Sequence, residues 1–96
     1  MSSHPDLAGK VVVVTGAGKG IGQAIAERFG AAGSSVVVND VDDSSARAVA
    51  NGIVDTGGTA MAAPADVSDG EQVAAMFDTV MSAHGTVDVL LSLIHI

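Results

Sequence analysis

The chain has 96 residues, enough for one small domain or part of a larger one and too few for a complete two-domain enzyme. Apolar residues make up 48% and charged residues only 16%, a globular rather than a disordered composition. A net charge of −7 with four Lys and Arg disfavours a nucleic-acid partner, and zero Cys excludes disulfides and thiolate metal sites.

The apolar residues are mainly Ala and Val, with two Phe and no Trp or Tyr, so the expected core is thin and closely packed. Without Tyr, any chemistry that needs a Tyr lies outside these 96 residues. The absence of Cys fits a reducing compartment, and a cytoplasmic location is expected. Residues 1–6 carry neither a basic n-region nor an apolar h-region, so no secretory signal is expected. The longest apolar runs are too short for a bilayer, and no membrane partner is expected.

Residues 10–15 are a continuous β-branched run, which predicts a strand buried on both faces. A Gly-rich turn over 16–22 follows. Ile21, Ala24, Ile25, Ala26, Phe29 and Ala32 then recur at helical spacing, with Gly33 as the stop. Residues 35–39 read as a second buried strand. Asp40, Asp42 and Asp43 cluster at its exit, and Asp42 or Asp43 suits a helix N-cap. Ala46, Val49, Ala50, Ile53 and Val54 form an apolar stripe that ends at Gly57 and Gly58. Residues 59–63 are a weaker third strand, closed by Pro64. Ser68 and Glu71 have capping-box spacing before a helix with Val73, Phe77, Val80, Met81 and His84 on one face, stopped by Gly85. Residues 87–90 begin a fourth strand. The order β-α-β-α-β-α-β predicts an α/β class fold, a parallel sheet with right-handed crossovers and helices on both faces. Four strands make about half of a doubly wound sheet.

The first turn carries the chemistry. A helix that opens directly after a buried strand presents free N–H groups and the positive end of its dipole, which stabilises a pyrophosphate. Glycine there lets backbone approach phosphate closely, and four glycines exceed what a tight turn requires. The spacing G-x-G-x-x-G fails because position 21 is Ile, and a P-loop fails because Lys19 is followed by Gly20. Thr-Gly-x-x-x-Gly-x-Gly fits, with Thr15, Gly16, Gly20 and Gly22.

In this pattern the sequence resembles the short-chain dehydrogenase/reductase family. The resemblance runs from about Leu7 to Leu90. It includes residues 15–22, Asn39-Asp40, Asp66-Val67, and residues 85–90 leading into the fourth strand. It implies the N-terminal half of a Rossmann fold, with residues 1–90 as part of one NAD(P)-binding domain. It places Thr15, Gly16, Gly18, Lys19, Gly20, Ile21 and Gly22 at the cofactor. Asp66 would take the adenine amino group and Val67 would offer backbone contact. The implied reaction is hydride transfer between nicotinamide and a carbonyl/alcohol carbon of a small molecule, such as a 3-oxoacyl thioester or a secondary alcohol. The full-length form would be a homo-oligomer.

Asp40, eighteen residues after Gly22, can accept from the adenosine ribose hydroxyls of NAD and repel the 2′-phosphate of NADP. Lys19 points the other way, because a basic residue at that loop position in this family often helps hold a 2′-phosphate. A fixed carboxylate outweighs a mobile, hydrated Lys, so NAD is the favoured cofactor. Asp88 reads as a structural hydrogen bonder. His4, His84 and His95 have no metal-ligand spacing, so no metal site is expected. Met61, Met76 and Met81 read as core or gap filler.

After Leu90 the match to the family stops abruptly. Where the family continues with an apolar residue and Asn-Asn-Ala-Gly, this chain reads Leu-Ser-Leu-Ile-His-Ile. Those residues, 91–96, match a translation of the transposase mosaic-end adapter (CTG TCT CTT ATA CAC ATC), so they are expected to be non-native read-through. The family's Tyr and the Lys four residues after it, its orienting Ser and its relay Asn all lie beyond Leu90. No catalytic residue is assigned, and the chain alone is expected to be inactive. Two further readings stand beside this one: a non-catalytic nucleotide-binding module or truncated product, and a sugar-nucleotide epimerase or dehydratase, which the glycine spacing disfavours.

Overall fold

Four consecutive valines, Val11–Val14, form β1, and none is more than 4% exposed. A strand tolerates unbroken hydrophobicity only when both of its faces are covered, and here each face meets a different core. In the computed structural model, which describes residues 8–92, the remaining elements are α1 (Gly20–Ala31), β2 (Ser35–Val38), α2 (Asp43–Asp55), β3 (Thr59–Ala62), α3 (Gly70–His84) and β4 (Val89–Leu91). Val12 and Val14 pack with Val36, Val38, Ala26 of α1, and Ala46, Val49, Ala50 and Ile53 of α2. Val11, Val13 and Val37 point to the opposite face and meet Met76 and Val80 of α3. The strand period of two sorts one run of valines between two cores.

All strand pairs are parallel, in the order β3-β2-β1-β4. The expected α/β class and doubly wound half-sheet are both present. Among the described residues, no helix is long and apolar enough to cross a membrane.

Local signals set most element ends. Gly33 has φ +94° just past the C-cap Ala32 of α1, and Gly85 caps α3 at φ +79°. Asp42 caps α2 by accepting from the Ser45 amide at 3.3 Å. The cap of α3 differs from expectation: it is Asp69, not Ser68. The Ser68 hydroxyl is spent on Asp66 Oδ1 at 2.6 Å, while Asp69 Oδ1 accepts from the amides of Glu71 at 3.0 Å and Gln72 at 3.4 Å. A hydroxyl drawn into the preceding turn cannot also reach the helix amides.

The helix stripes are also narrower than their sequence arcs. Ile21, Val54 and Met81 are 76%, 50% and 48% exposed, whereas Met76 is 5% exposed. The sheet covers only a strip of each helix, and α3 lays the Met76 and Val80 side on it. Asp88 Oδ2 accepts from the Val11 amide at 2.8 Å, the structural role expected of it. β4 runs through Leu91, which pairs with Val14 and accepts from the Thr15 amide at 2.9 Å. Of the rest of the expected tail, Ser92 is exposed and 93–96 lie outside the described residues, as do residues 1–7, so His4 and His95 have no structural account.

Ile53 is 3% exposed and seated between two glycines. A β-carbon added at Gly30 would lie 2.7 Å from Ile53 Cγ2, and one at Gly58 would lie 2.8 Å from it. Gly30→Val should therefore overpack the contact between α1 and α2 and cost about 2 kcal/mol. Urea denaturation should show this loss. Ile53→Ala should cost less in the Gly30→Val background than in the parent, because it removes the obstructing methyl.

Candidate functional site

The chain winds from β1 through β2 to β3 with α1 and α2 on one face. It then returns over the other face through α3 and places β4 beside β1. The strand order therefore reverses at β1, and the carboxyl ends of the strands at such a reversal leave a crevice. A cleft of about 690 Å³ lies there. Its floor is the β1–α1 turn, its far wall the exit of β2, and its side the β3–α3 connection.

Gly16 and Gly20 both have φ +63°, a left-handed conformation that glycine adopts without a Cβ penalty. Nothing lies within 4 Å of where their β-carbons would be, so the space above both is open. The Ala17 amide donates to the Asn39 carbonyl at 2.7 Å and ties the turn to the end of β2. No side chain caps α1, whereas α2 and α3 are capped by Asp42 and Asp69. The N-terminus left uncapped is the one that opens on the cleft.

Asp40 is 6% exposed and lines the far wall. Its Oδ2 accepts from the Gly18 amide and its Oδ1 from the Asp42 amide, both at 3.0 Å. A carboxylate has about four acceptor positions, so two remain after these bonds. Lys19 and Asp42 also line the cleft. The Asp42 carboxyl is held below the usual Asp range, first by the Ser45 amide and then by the Ser45 hydroxyl, with a smaller contribution from the Lys19 charge.

The third wall is held by a residue to which the sequence assigned no role. Asn39 is 1% exposed, and its amide nitrogen donates to the carbonyls of Ala63 at 2.9 Å and Ala65 at 3.2 Å and to Met76 Sδ at 3.3 Å. A buried amide must find partners, and these partners fix the segment that carries Asp66 and Val67. The available signal was a polar side chain directly after a fully buried strand. At the rim, Ile21, Val41 and Val67 are 76%, 72% and 50% exposed and leave the cleft mouth apolar. Of the ten residues singled out from sequence, nine line this cleft: Thr15, Gly16, Lys19, Gly20, Ile21, Gly22, Asp40, Asp66 and Val67. Gly18 stands behind the wall, against Asp40 and Ser45.

The model of the short chain dehydrogenase family matches residues 10–92. The chain belongs to the short-chain dehydrogenase family. It is 49% identical over 87 residues to 3beta-hydroxysteroid dehydrogenase 1 of Eggerthella lenta, covering 90% of this chain and 33% of that protein. Among solved structures it is similar to a 7 alpha-hydroxysteroid dehydrogenase complexed with NADH and 7-oxo glycochenodeoxycholic acid. That similarity has a TM-score of 0.85 and 42% identity, over 88% of this chain and 33% of the other. A metagenomic short-chain oxidoreductase in complex with NADP gives a TM-score of 0.82 and 44% identity, over 86% and 38%. The chain thus spans about a third of the length of the curated relatives it matches.

Asp66 accepts from the Ser68 hydroxyl at 2.6 Å and the Ser68 amide at 2.9 Å, both through Oδ1. The hydroxyl first and the amide second hold its carboxyl below the usual Asp range. A depressed value in the folded state means that the Asp66–Ser68 turn stabilises the protein above the unfolded-state value and is lost as pH falls through the folded one. Carboxyl chemical shifts followed through an acid titration should place the Asp66 midpoint below that of an unperturbed Asp. Ser68→Ala should move it back up.

Proposed function

We propose that the full-length protein is an NAD-preferring oxidoreductase and that this chain supplies the adenosine-diphosphate end of its cofactor site. The Asp40 carboxylate carries the reading: it is fixed at the exit of β2, beside a glycine turn whose φ +63° glycines open on the cleft. Its two unused acceptor positions suit the two neutral ribose hydroxyls of NAD. In NADP one hydroxyl becomes a phosphate with roughly −1.5 to −2 charge, and the contact turns repulsive. The open space over Gly16 and Gly20 and the uncapped start of α1 suit a pyrophosphate. Asp66 keeps Oδ2 outside the Ser68 turn, available to an adenine amino group. Val67 and Val41 offer apolar contact at the rim.

A nicotinamide dinucleotide supplies the hydride donor or acceptor when bound. The proposed substrate class is a small carbonyl or secondary alcohol. The acid/base Tyr with its Lys, the orienting Ser and the relay Asn would come from chain beyond position 90, since there is no Tyr in these 96 residues. The full-length protein is further proposed to be a homo-oligomer without a nucleic-acid or membrane partner.

Lys19, on the cleft floor, favours NADP as the second reading. The two are separated by kinetics with both cofactors at fixed ionic strength. We expect kcat/KM to favour NAD by at least about tenfold. Asp40→Ser should narrow that gap, chiefly by relieving repulsion of NADP. Lys19→Ala should weaken NADP more than NAD, because only NADP offers that cation a nearby 2′-phosphate. A parent that prefers NADP would make Lys19 the better guide.

The purified 96-residue chain should oxidise or reduce no carbonyl/alcohol pair. Steady consumption of NADH above that of a Gly16→Val control would place the chemistry inside these residues and overturn the division of labour proposed here.

A further inference from the structure

Gly18 is the loop glycine whose identity neither turn geometry nor room in the cleft explains. Its φ is not among the positive values that Gly16 and Gly20 require, and it does not line the cleft. Instead, a β-carbon placed on it would lie 2.7 Å from Ser45 Cβ, 2.8 Å from Asp40 Oδ2 and 2.9 Å from Asp40 Cγ. The Gly18 amide meanwhile donates to that same Asp40 Oδ2 at 3.0 Å, in a buried contact. The residue therefore approaches one carboxylate twice, through the hydrogen bond it makes and through the space it leaves.

We propose that Gly18 is a positioning residue for cofactor selectivity: its amide seats the Asp40 carboxylate, and only glycine leaves that seat free. The proposal rests on the reading of Asp40 as the ribose-facing residue. A carboxylate free to rotate has to be ordered on each binding event, which weakens its hold on ribose hydroxyls and spreads its repulsion of a 2′-phosphate. One clamped by the Gly18 amide on Oδ2 and the Asp42 amide on Oδ1 is ordered beforehand. A methyl group at position 18 would have to push aside Asp40, Ser45 or both. Asp40 turned away from its seat would then lose contact with the hydroxyls and repel a phosphate less.

The test uses the full-length protein as parent, Gly18→Ala, Asp40→Ser and the double variant, with kcat/KM for NAD and NADP measured on each. Gly18→Ala is expected to lower the NAD:NADP ratio by about tenfold. The change should appear in KM for NAD, with kcat retained. In the Asp40→Ser background, Gly18→Ala should change the ratio little further, because the group through which it acts is gone. Circular dichroism and thermal melting verify that each variant is folded. If Gly18→Ala does not fold, Gly18→Ala with Ser45→Gly replaces it, removing the 2.7 Å contact and keeping the one with Asp40.

If Asp40→Ser shifts the ratio and Gly18→Ala does not, the role of Gly18 is overturned and that of Asp40 stands. An equal effect of Gly18→Ala with and without the carboxylate overturns it as well. If Asp40→Ser itself leaves the ratio unchanged, Asp40 does not face the ribose, and the proposal for Gly18 falls with that reading.

Discussion

The structure depends on the burial of β1 between two cores. Val12, Val13 and Val14 are each 0% exposed, and their side chains alternate between the face of α1 and α2 and the face of α3. A parallel strand in this position has no solvent side, so every connection must leave over a face of the sheet. β1, flanked by β2 and β4, is also the strand whose carboxyl end feeds the glycine turn. A strand buried on both faces thus carries the turn that must hold its shape around a ligand, as a functional site on a scaffold requires.

A short relay of polar contacts joins that strand to the site. The Asn39 carbonyl takes the Ala17 amide, the Asn39 side chain takes the Ala63 and Ala65 carbonyls, and the Asp40 carboxylate takes the Gly18 amide. Two adjacent residues at the end of β2 therefore lock both neighbouring connections, one on each side. Each of these groups is nearly excluded from water, and a polar group so placed is costly unless it is bonded. The same bonds that satisfy this cost define the three walls of the cleft. Folding and site assembly share one set of hydrogen bonds here, and two loop amides, of Gly18 and Asp42, hold the Asp40 carboxylate.

The chain covers about a third of its curated relatives. β4 has β1 on one side, and Leu90 within it is 51% exposed. Ile21, Val41 and Val67 leave an apolar rim at the carboxyl end of the sheet. Nine of the ten residues singled out from sequence line one cleft, while the hydride chemistry is proposed to come from elsewhere in the full-length protein.

Period and punctuation determined the element order and the parallel α/β class, and the glycine motif with the family resemblance singled out nine of the residues that line the cleft. The valine runs, the helical stripe of α2 and the glycine stops depend on local sterics and burial that are written in the sequence one residue after another. The structure placed the cap of α3 on Asp69 in place of the expected Ser68, because the Ser68 hydroxyl turned back to Asp66, two residues away. It also decided which helical residues left the core, since the sheet is narrower than the apolar arcs of α1 and α3. Tertiary structure likewise made Asn39 the brace of the third wall and set Gly18 against Asp40 instead of the cleft. Those contacts join residues 22 to 37 positions apart. A long-range bond leaves no period in the chain, because it depends on where two strands end in space and not on what stands next to either residue.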